Sequence, residues 1–191
     1  MRALYIYGPQ PAMIKASPTY STYTISSIEH SHMAINLGID FFFVIGIIYF
    51  HSISNDIKFR TIDKPFTCSE SKIVKSITSI IGTYQAHGMT TLTIFGDNEF
   101  DCVRNKFTSA IFDITTANQH VPLVERSIHT IKYHVCCCMQ HLPFLYWPRV
   151  MKKSVVNHKT ECLNAFPNAN GISDDLSPAD IVLGTHNLSY K

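Results

Sequence analysis

The stretch that decides the fold is residues 35–62, INLGIDFFFVIGIIYFHSISNDIKFRTI. It is rich in β-branched and aromatic residues, which favour strands over helices. Gly46 and the pair Asn55-Asp56 interrupt the apolar pattern, and residues of these types are typical of turns. The pattern therefore predicts three consecutive antiparallel strands, namely Ile35 to Ile45, Ile47 to Ile53 and Ile57 to Ile62.

Downstream of these strands, helical and strand patterns alternate. Isoleucines at helical spacing predict a helix that starts at a capping-box pair, Thr67 and Glu70, and ends at Gly88. Three short elements are predicted next: a buried strand over Thr91 to Phe95, a short helix over Phe100 to Phe107 and a fifth strand over Ile111 to Thr115. The alternation indicates a mixed α/β chain in which a strand meander comes first.

Two longer helices complete the pattern. Pro122 suits the first turn of a helix, and an apolar stripe continues from it until Leu142-Pro143 ends the helix. Pro148 opens the last predicted helix, whose apolar side is expected to carry Met151, Val155, Cys162 and Phe166. The predicted organisation is an irregular lead-in over 1–33, a core over 34–167, and a loop or tail over 168–191.

Composition limits the function classes. The chain has 191 residues, 46% of them hydrophobic and 16% charged, which indicates one globular domain rather than a disordered chain. The net charge of +2 excludes a strongly basic coat, so nucleic-acid binding would need a local patch. The most apolar run, Phe41 to Phe50, is too short to span a membrane, so no membrane partner is expected. Three consecutive cysteines make a poor disulfide framework and favour an intracellular compartment.

Three acidic residues stand out against this pattern. Asp40 lies inside an apolar strand, where a charge is costly unless it is paired or binds a metal. Asp97 follows the fourth strand. If a crossover helix brings that strand beside the first one in parallel, the two aspartates face one rim of the sheet. Glu125 lies early in the long helix. Three carboxylates on one rim would bind hard divalent cations through oxygen.

The order of these motifs resembles the catalytic core of a retroviral-type integrase, as carried by long-terminal-repeat retrotransposons. The resemblance spans about residues 35 to 185. It rests on Ile39-Asp40 to Phe43, Phe50-His51-Ser52-Ile53-Ser54 with Ile57-Lys58-Phe59-Arg60-Thr61, Gly96-Asp97-Asn98-Glu99-Phe100, His120 to Thr130 around Glu125-Arg126, and Leu176-Ser177-Pro178 up to Gly184.

The resemblance implies a ribonuclease H-like α/β fold, with a five-stranded mixed sheet in the order 3-2-1-4-5 and helices on both faces. It implies that Asp40, Asp97 and Glu125 are both the catalytic residues and the ligands of two Mg²⁺ or Mn²⁺ ions. The implied reactions are the processing of element DNA ends by water and the attack of the resulting 3′ hydroxyl on target DNA. A homodimer or higher homo-oligomer is implied too, in the nucleus or in a cytoplasmic retroelement particle.

Several polar residues are candidates for contacts with DNA phosphates. On the long helix, His129 and Lys132 follow Glu125 at helical spacing, and Arg126 is its neighbour. The full set of predicted nucleic-acid contacts is Asn98, Arg126, His129, Lys132, Lys58, Arg60, Lys152 and Lys153. The alternative for Lys152 and Lys153 is an ordinary solvated helix face, because phosphate contacts and solvated cations have the same sequence signature.

Two other functions remain open. Residues 98–124 separate the second and third carboxylates, a shorter spacing than retroviral integrases usually have. The zinc-binding and basic DNA-binding domains that flank such cores have no counterpart in these residues. The chain therefore also resembles a fragment or a decayed, non-catalytic copy that only binds nucleic acid. A ribonuclease H-like nuclease acting on RNA in hybrids would share the same metal site.

Overall fold

The computed structural model describes residues 34–63, 69–107, 110–114, 122–141 and 147–184. The sheet has five strands: β1 (Ala34–Val44), β2 (Ile47–Ser54), β3 (Arg60–Asp63), β4 (Thr90–Gly96) and β5 (Ile111–Ile114). The helices are α1 (Glu70–Ala86), α2 (Pro122–Gln140), α3 (Arg149–Asn164) and α4 (Pro178–Leu183), and a 3₁₀ helix covers Asn98–Lys106. None of the helices described is long and apolar enough to cross a bilayer.

The strand order is β3-β2-β1-β4-β5, as predicted. The first three strands form an antiparallel meander, and β4 and β5 add to it in parallel. Between β1 and β2 the chain turns at Ile45 and Gly46, both of which have positive φ. This is the type of two-residue turn whose twist matches a hairpin.

Two apolar clusters cover the two faces of the sheet. Successive side chains of a strand point to opposite faces, so alternate residues of β1 serve different clusters. Ile35, Leu37 and Ile39 pack with α1, the 3₁₀ helix and α4. Phe42 and Val44 pack on the other face, with α2 and α3. Asp40 shares the alternation of Phe42, so its side chain belongs to the α2 side.

The third strand begins later than predicted. The sequence pattern predicts a strand from Ile57 to Ile62, whereas β3 covers Arg60–Asp63. The difference arises at Lys58, a non-glycine residue with φ of 63°, whose backbone cannot continue a strand. Its N–H donates to the carbonyl of Ser54, and this hydrogen bond closes a turn instead. The first long helix also differs at its start: its N-cap is Ser69, not Thr67, which lies outside the described residues.

The buried side of α3 is also different from the prediction. Val156, Thr160 and Asn164 are its buried residues, while Phe166, expected on the apolar side, is 54% exposed. An apolar pattern does not detect this side because two of its three residues are polar. Asn164 is buried because its amide is hydrogen-bonded to both backbone groups of Arg60.

The segment after residue 167, expected to be mostly loop, contains the short helix α4. Ser177 and Asp180 form a reciprocal capping box at its start, with a proline at the first turn. Val182 of this helix is fully buried in the cluster on the α1 side of the sheet. Packing of this kind stabilises a helix that is too short to persist alone.

Candidate active site

Two of the three predicted carboxylates lie where β1 and β4 separate. Gly38 of β1 pairs in parallel with Phe95 of β4. Asp40 and Asp97 each lie two residues beyond that pair, at the point where β4 has ended and β1 continues beside β2 alone. Because neighbouring strands lie about 4.8 Å apart, this register brings the two aspartates together at one rim of the sheet.

The carboxyl group of Asp40 is strongly affected by its surroundings. Burial, together with the weaker influence of the negative charges of Asp97, Glu99 and Glu125, raises its pKa from 3.8 to about 6. The backbone N–H of Phe41 donates to Asp40 Oδ1 at 2.6 Å and acts in the opposite direction. We call these four residues, Asp40, Asp97, Glu99 and Glu125, the acidic rim. Their mutual repulsion makes the rim suited to a cation.

An aromatic cluster supports the acidic rim from the other face of the sheet. The rings of Phe41 and Phe100 stack with centroids 4.9 Å apart, and Phe50 packs against both. Gly96, next to Asp97, has no room for a side chain. A Cβ there would lie 2.9 Å from the ring of Phe100 and 3.1 Å from Ile39. The close approach of the chain at this glycine therefore constrains the backbone immediately before Asp97, the N-cap of the 3₁₀ helix.

A hydrogen bond ties the helix of Glu125 to the sheet. His51 is the cross-strand partner of Asp40, so both side chains point to the α2 face. His51 Nε2 lies 2.9 Å from the hydroxyl oxygen of Ser127, two residues after Glu125, and Nδ1 lies 2.9 Å from the carbonyl oxygen of Thr61. Burial lowers the pKa of His51 to about 4, so the ring is neutral at physiological pH. This contact positions the first turns of α2 beside the rim.

The donor chemistry of the rim fits a hard divalent cation, since carboxylate oxygens are the ligands that Mg²⁺ and Mn²⁺ prefer. Burial is the main cause of the raised pKa of Asp40, and the smaller contribution from its acidic neighbours is one that such an ion would relieve. Across the described ranges, however, no three His, Cys, Asp or Glu side chains are grouped closely enough to hold one ion. Metal binding by the predicted triad would require the side chains to turn toward one another.

Ser127 also belongs to a second site. Its hydroxyl accepts a hydrogen bond from Arg60 Nε at 3.1 Å, and Arg60 Nη1 donates to the carbonyl of Lys58 at 3.2 Å. Arg60 is only 9% exposed, and burial lowers its pKa. A phosphate contact was predicted at this arginine from the sequence, but its burial was not. It lines a cleft of about 460 Å³ together with Lys58 and Arg126. We call this feature the cationic cleft.

The other predicted phosphate contacts are spread over three elements. Asn98 is exposed at the start of the 3₁₀ helix, and His129 is exposed on α2. Lys132, one turn further along α2, is partly buried. Lys152 and Lys153 are partly buried in the first turns of α3 and do not line the cationic cleft.

The roles of several residues in the two sites were not predicted from the sequence. Glu99 contributes to the acidic rim, and its position beside Asp97 was the available signal. His51 lay inside a quoted motif, but its role as a buried link was not predicted. Ser127 and Asn164 have no sequence signal of their own, because their partners lie far away along the chain.

Comparison with known proteins identifies the fold. No protein-family model and no curated protein sequence matches this chain. A crystal structure of the catalytic core domain of BIV integrase superposes on it with a TM-score of 0.55 at 14% sequence identity. The match covers 82% of this chain and 98% of that chain. The chain therefore has the fold of an integrase catalytic core, a ribonuclease H-like five-stranded mixed sheet, and this prediction of the sequence analysis is confirmed.

Proposed function

We propose that this chain is the catalytic core of an integrase that processes the 3′ ends of element DNA and joins them to target DNA. The observation that carries the proposal is the acidic rim, where Asp40 and Asp97 share one register and Glu125 is close enough to raise the pKa of Asp40. Carboxylates that lie together at the end of paired strands can bind the divalent cations that phosphodiester chemistry uses.

Each reaction is a displacement at phosphorus. In end processing, a water oxygen bonds to phosphorus and the P–O3′ bond breaks, which leaves a 3′ hydroxyl on the element. In strand transfer, that hydroxyl oxygen bonds to a target phosphorus and displaces the target's own 3′ oxygen. Two Mg²⁺ or Mn²⁺ ions, when bound, supply charge stabilisation and activate the attacking oxygen. Asp40, Asp97 and Glu125 would hold them.

The remaining residues of the site would bind and orient DNA. His129 and Lys132 follow Glu125 along one side of α2, so phosphates along this side would lie next to the reacting centre. Asn98 occupies the same end of the sheet as Asp97. His51 acts as a positioning residue through Ser127, since its neutral ring contacts the helix rather than the rim. We extend the proposal to a homodimer or higher oligomer acting on DNA in the nucleus or in a cytoplasmic particle.

The test is strand transfer on a branched DNA that mimics the integration intermediate, with Mn²⁺. Glu125→Gln removes one charge from the rim, and we expect activity to fall by at least about 100-fold. Glu161→Gln is the matched control, because Glu161 is an exposed acid on α3 away from the rim. We expect the control to keep wild-type activity. Thermal unfolding of all three proteins establishes that each is folded.

A non-catalytic nucleic-acid-binding remnant is the competing function. It is favoured by the lack, in the described ranges, of three side chains grouped for one metal ion. Folded wild-type protein that binds DNA but shows no turnover, with binding that ignores the loss of Glu125, would establish it. Cleavage of RNA in hybrids, without strand transfer, would instead identify a ribonuclease H-like nuclease.

A further inference from the structure

The cationic cleft has the chemistry of a phosphate site. Three cations line it from different parts of the fold: Lys58 from the turn before β3, Arg60 from β3 and Arg126 from α2. Among the described residues, none of the three has a carboxylate within salt-bridge distance. The pKa of Lys58 is lowered first by burial and then by the charges of Arg60 and Arg126, against the influence of Asp56. The three charges therefore repel one another across the cleft.

Arg60 is the cation of this cleft that the surrounding residues hold in place by hydrogen bonds. Its partners are neutral: the hydroxyl of Ser127, the carbonyl of Lys58 and the amide of Asn168. With its oxygen turned toward the guanidinium, Asn168 lies 3.2 Å from both terminal nitrogens. A buried guanidinium without a counter-charge is costly, and an anion at the cleft would offset that cost. Its five N–H donors exceed the acceptors provided, so donors remain for a ligand.

The backbone at Lys58 is shaped for this contact. Its φ of 63° is a conformation that non-glycine residues rarely adopt. In that conformation its carbonyl accepts from Arg60 Nη1, while its side chain lines the same cleft. Strain of this kind persists where the surrounding structure requires it, and binding sites are a common place for it.

One wall of the cleft is apolar and includes an exposed ring. Its apolar wall is formed by Ile53, Leu123, Leu163, Phe166 and Pro167. Phe166 is 54% exposed, so its ring is available for contact. An aromatic ring beside clustered cations is the combination by which proteins bind single-stranded nucleic acid, with the base against the ring and the phosphate on the cations. The cleft volume of about 460 Å³ lies within the range of small-ligand sites.

We propose that the cationic cleft binds a nucleotide of single-stranded nucleic acid, with its phosphate between Lys58, Arg60 and Arg126 and its base against Phe166. The proposal depends on the proposed function only for the class of ligand, and it requires no metal and no catalysis. It gives the chain a second contact surface that prefers an unpaired strand end to a duplex.

The experiment measures the anisotropy of a labelled oligothymidine of about ten nucleotides, long enough to fill one such site, in EDTA. We expect Arg126→Gln to weaken binding roughly tenfold, since a charge-assisted contact to phosphate is lost. Lys58→Asn, which tolerates a positive φ, should act in the same direction. Lys75→Gln is the control, because Lys75 is an exposed cation on α1 at the other face of the sheet. We expect it to change affinity less than twofold, as a distant surface charge should.

The base contact is tested by Phe166→Leu, which should weaken binding roughly fivefold or more because the ring is lost. Phe43→Leu is its control, since Phe43 is 65% exposed and lies outside the cleft. Thymidine monophosphate should compete at lower concentration than inorganic phosphate, and the matched duplex should bind more weakly than the strand.

Three outcomes would overturn the proposal: equal losses in cleft variants and controls, equal competition by inorganic phosphate, and duplex binding as tight as strand binding. Because binding is measured in EDTA, a failure here leaves the strand-transfer result unaffected. A failure of strand transfer with intact strand binding would reject the proposed catalysis alone.

Discussion

The acidic rim and the cationic cleft lie on either side of the same turn of α2, where Glu125 and Arg126 are neighbours. The rim is made of carboxylates that repel one another, and the cleft is made of cations that do the same. The two regions differ in how they are supported. The rim rests on packed rings and a close backbone approach at Gly96, whereas the cleft is tied by hydrogen bonds through Ser127 and Asn168.

This difference shows how one small fold can hold two opposite charge clusters. Aromatic packing fixes the backbone of the rim beside Asp40 and Asp97. Hydrogen bonds to Arg60 fix the charged group of the cleft itself. We therefore expect the rim to respond to changes in packing and the cleft to respond to the loss of single polar groups.

The largest expected effect comes from Gly96→Ala, which breaks the support of the rim. The new methyl group would press on Phe100 and Ile39, so we expect unfolding free energy to fall by about 2 kcal/mol. Displacement of Asp97 should reduce strand transfer by about 100-fold. Denaturant unfolding and the branched-DNA assay measure the two effects.

Gly82→Ala is the matched control for that change. Gly82 lies within α1, and a Cβ there meets no atom within 4 Å. Alanine favours helix over glycine, so this variant should be more stable by roughly 1 kcal/mol. Equal effects of the two substitutions would mean that Gly96 does not support the rim.

The second prediction uses the opposite pH responses of Asp40 in the rim and of its cross-strand partner His51. The folded pKa of His51, about 4, lies below its usual 6.5, so its contribution to stability is lost as pH falls from 6.5 toward 4. The folded pKa of Asp40, about 6, lies above its usual 3.8, so the ionised carboxylate destabilises the folded protein near neutral pH. This destabilisation disappears as the pH falls from 6 toward 3.8. Each pKa shift changes the free energy of unfolding by about 2–3 kcal/mol, and the smaller value applies to Asp40 because it is partly solvated.

In metal-free wild-type protein these two contributions nearly cancel. Asp40→Asn removes one of them, so the variant should be more stable than wild type near neutral pH and should lose that advantage on acidification. His51→Gln should show the reverse slope. The measurement is the unfolding free energy in urea across this pH range, with EDTA present. If the unfolding free energies of wild type and Asp40→Asn changed in parallel with pH, the raised pKa of Asp40 would be contradicted.

An effect on stability alone, without loss of strand transfer, is expected at the edge of the sheet beside the cleft. Asn164→Ala removes both hydrogen bonds to the backbone of Arg60, at 2.9 and 2.7 Å, and should cost about 2 kcal/mol. Asn157→Ala on the same helix is the control, and it should change stability by less than about 0.5 kcal/mol. Hydrogen exchange of β3 amides gives a local readout: if Asn164→Ala leaves their protection unchanged, the amide does not hold this strand.

The smallest expected effect is at Lys58. Lys58→Gly relieves the positive φ and should raise the unfolding free energy by up to about 1 kcal/mol, while it weakens strand binding. Lys58→Ala removes the same charge without relieving the backbone, so it should not be stabilising. Thermal unfolding separates the two variants. Equal stability would show that charge repulsion, not backbone conformation, is the cost at this residue.

Much of the fold was predictable because it depends on local patterns. Strand and helix periodicities predicted all five strands and the three long helices, α1, α2 and α3, and the end of β4 placed Asp97 level with Asp40. The helix after Ser177 was missed although its signal was present, since Asp180 three residues later and Pro178 between them are a capping-box pattern. The overlooked signal lay in a stretch interpreted only as loop.

The support of the candidate sites was harder to predict for a physical reason. Ser127 and Asn164 are buried because of partners 67 and 104 residues away along the chain, and a single sequence does not reveal such pairs. The burial of Arg60 follows from the same contacts. The predicted triad, the metal ions and the DNA contacts stay predictions that the experiments above address.

The amide of Asn164 has one more consequence, for the behaviour of the sheet edge. Outer strands of a sheet expose unpaired backbone groups and invite other chains to add strands in an aggregate. At Arg60 both backbone groups are already bonded to Asn164, so the side chain takes the place of a neighbouring strand. Strand addition along β3 is blocked at this residue. Loss of Asn164 would therefore leave the backbone groups of this edge strand unpaired. Concentrated solutions of Asn164→Ala should aggregate, measured as turbidity, at lower protein concentration than those of the wild type.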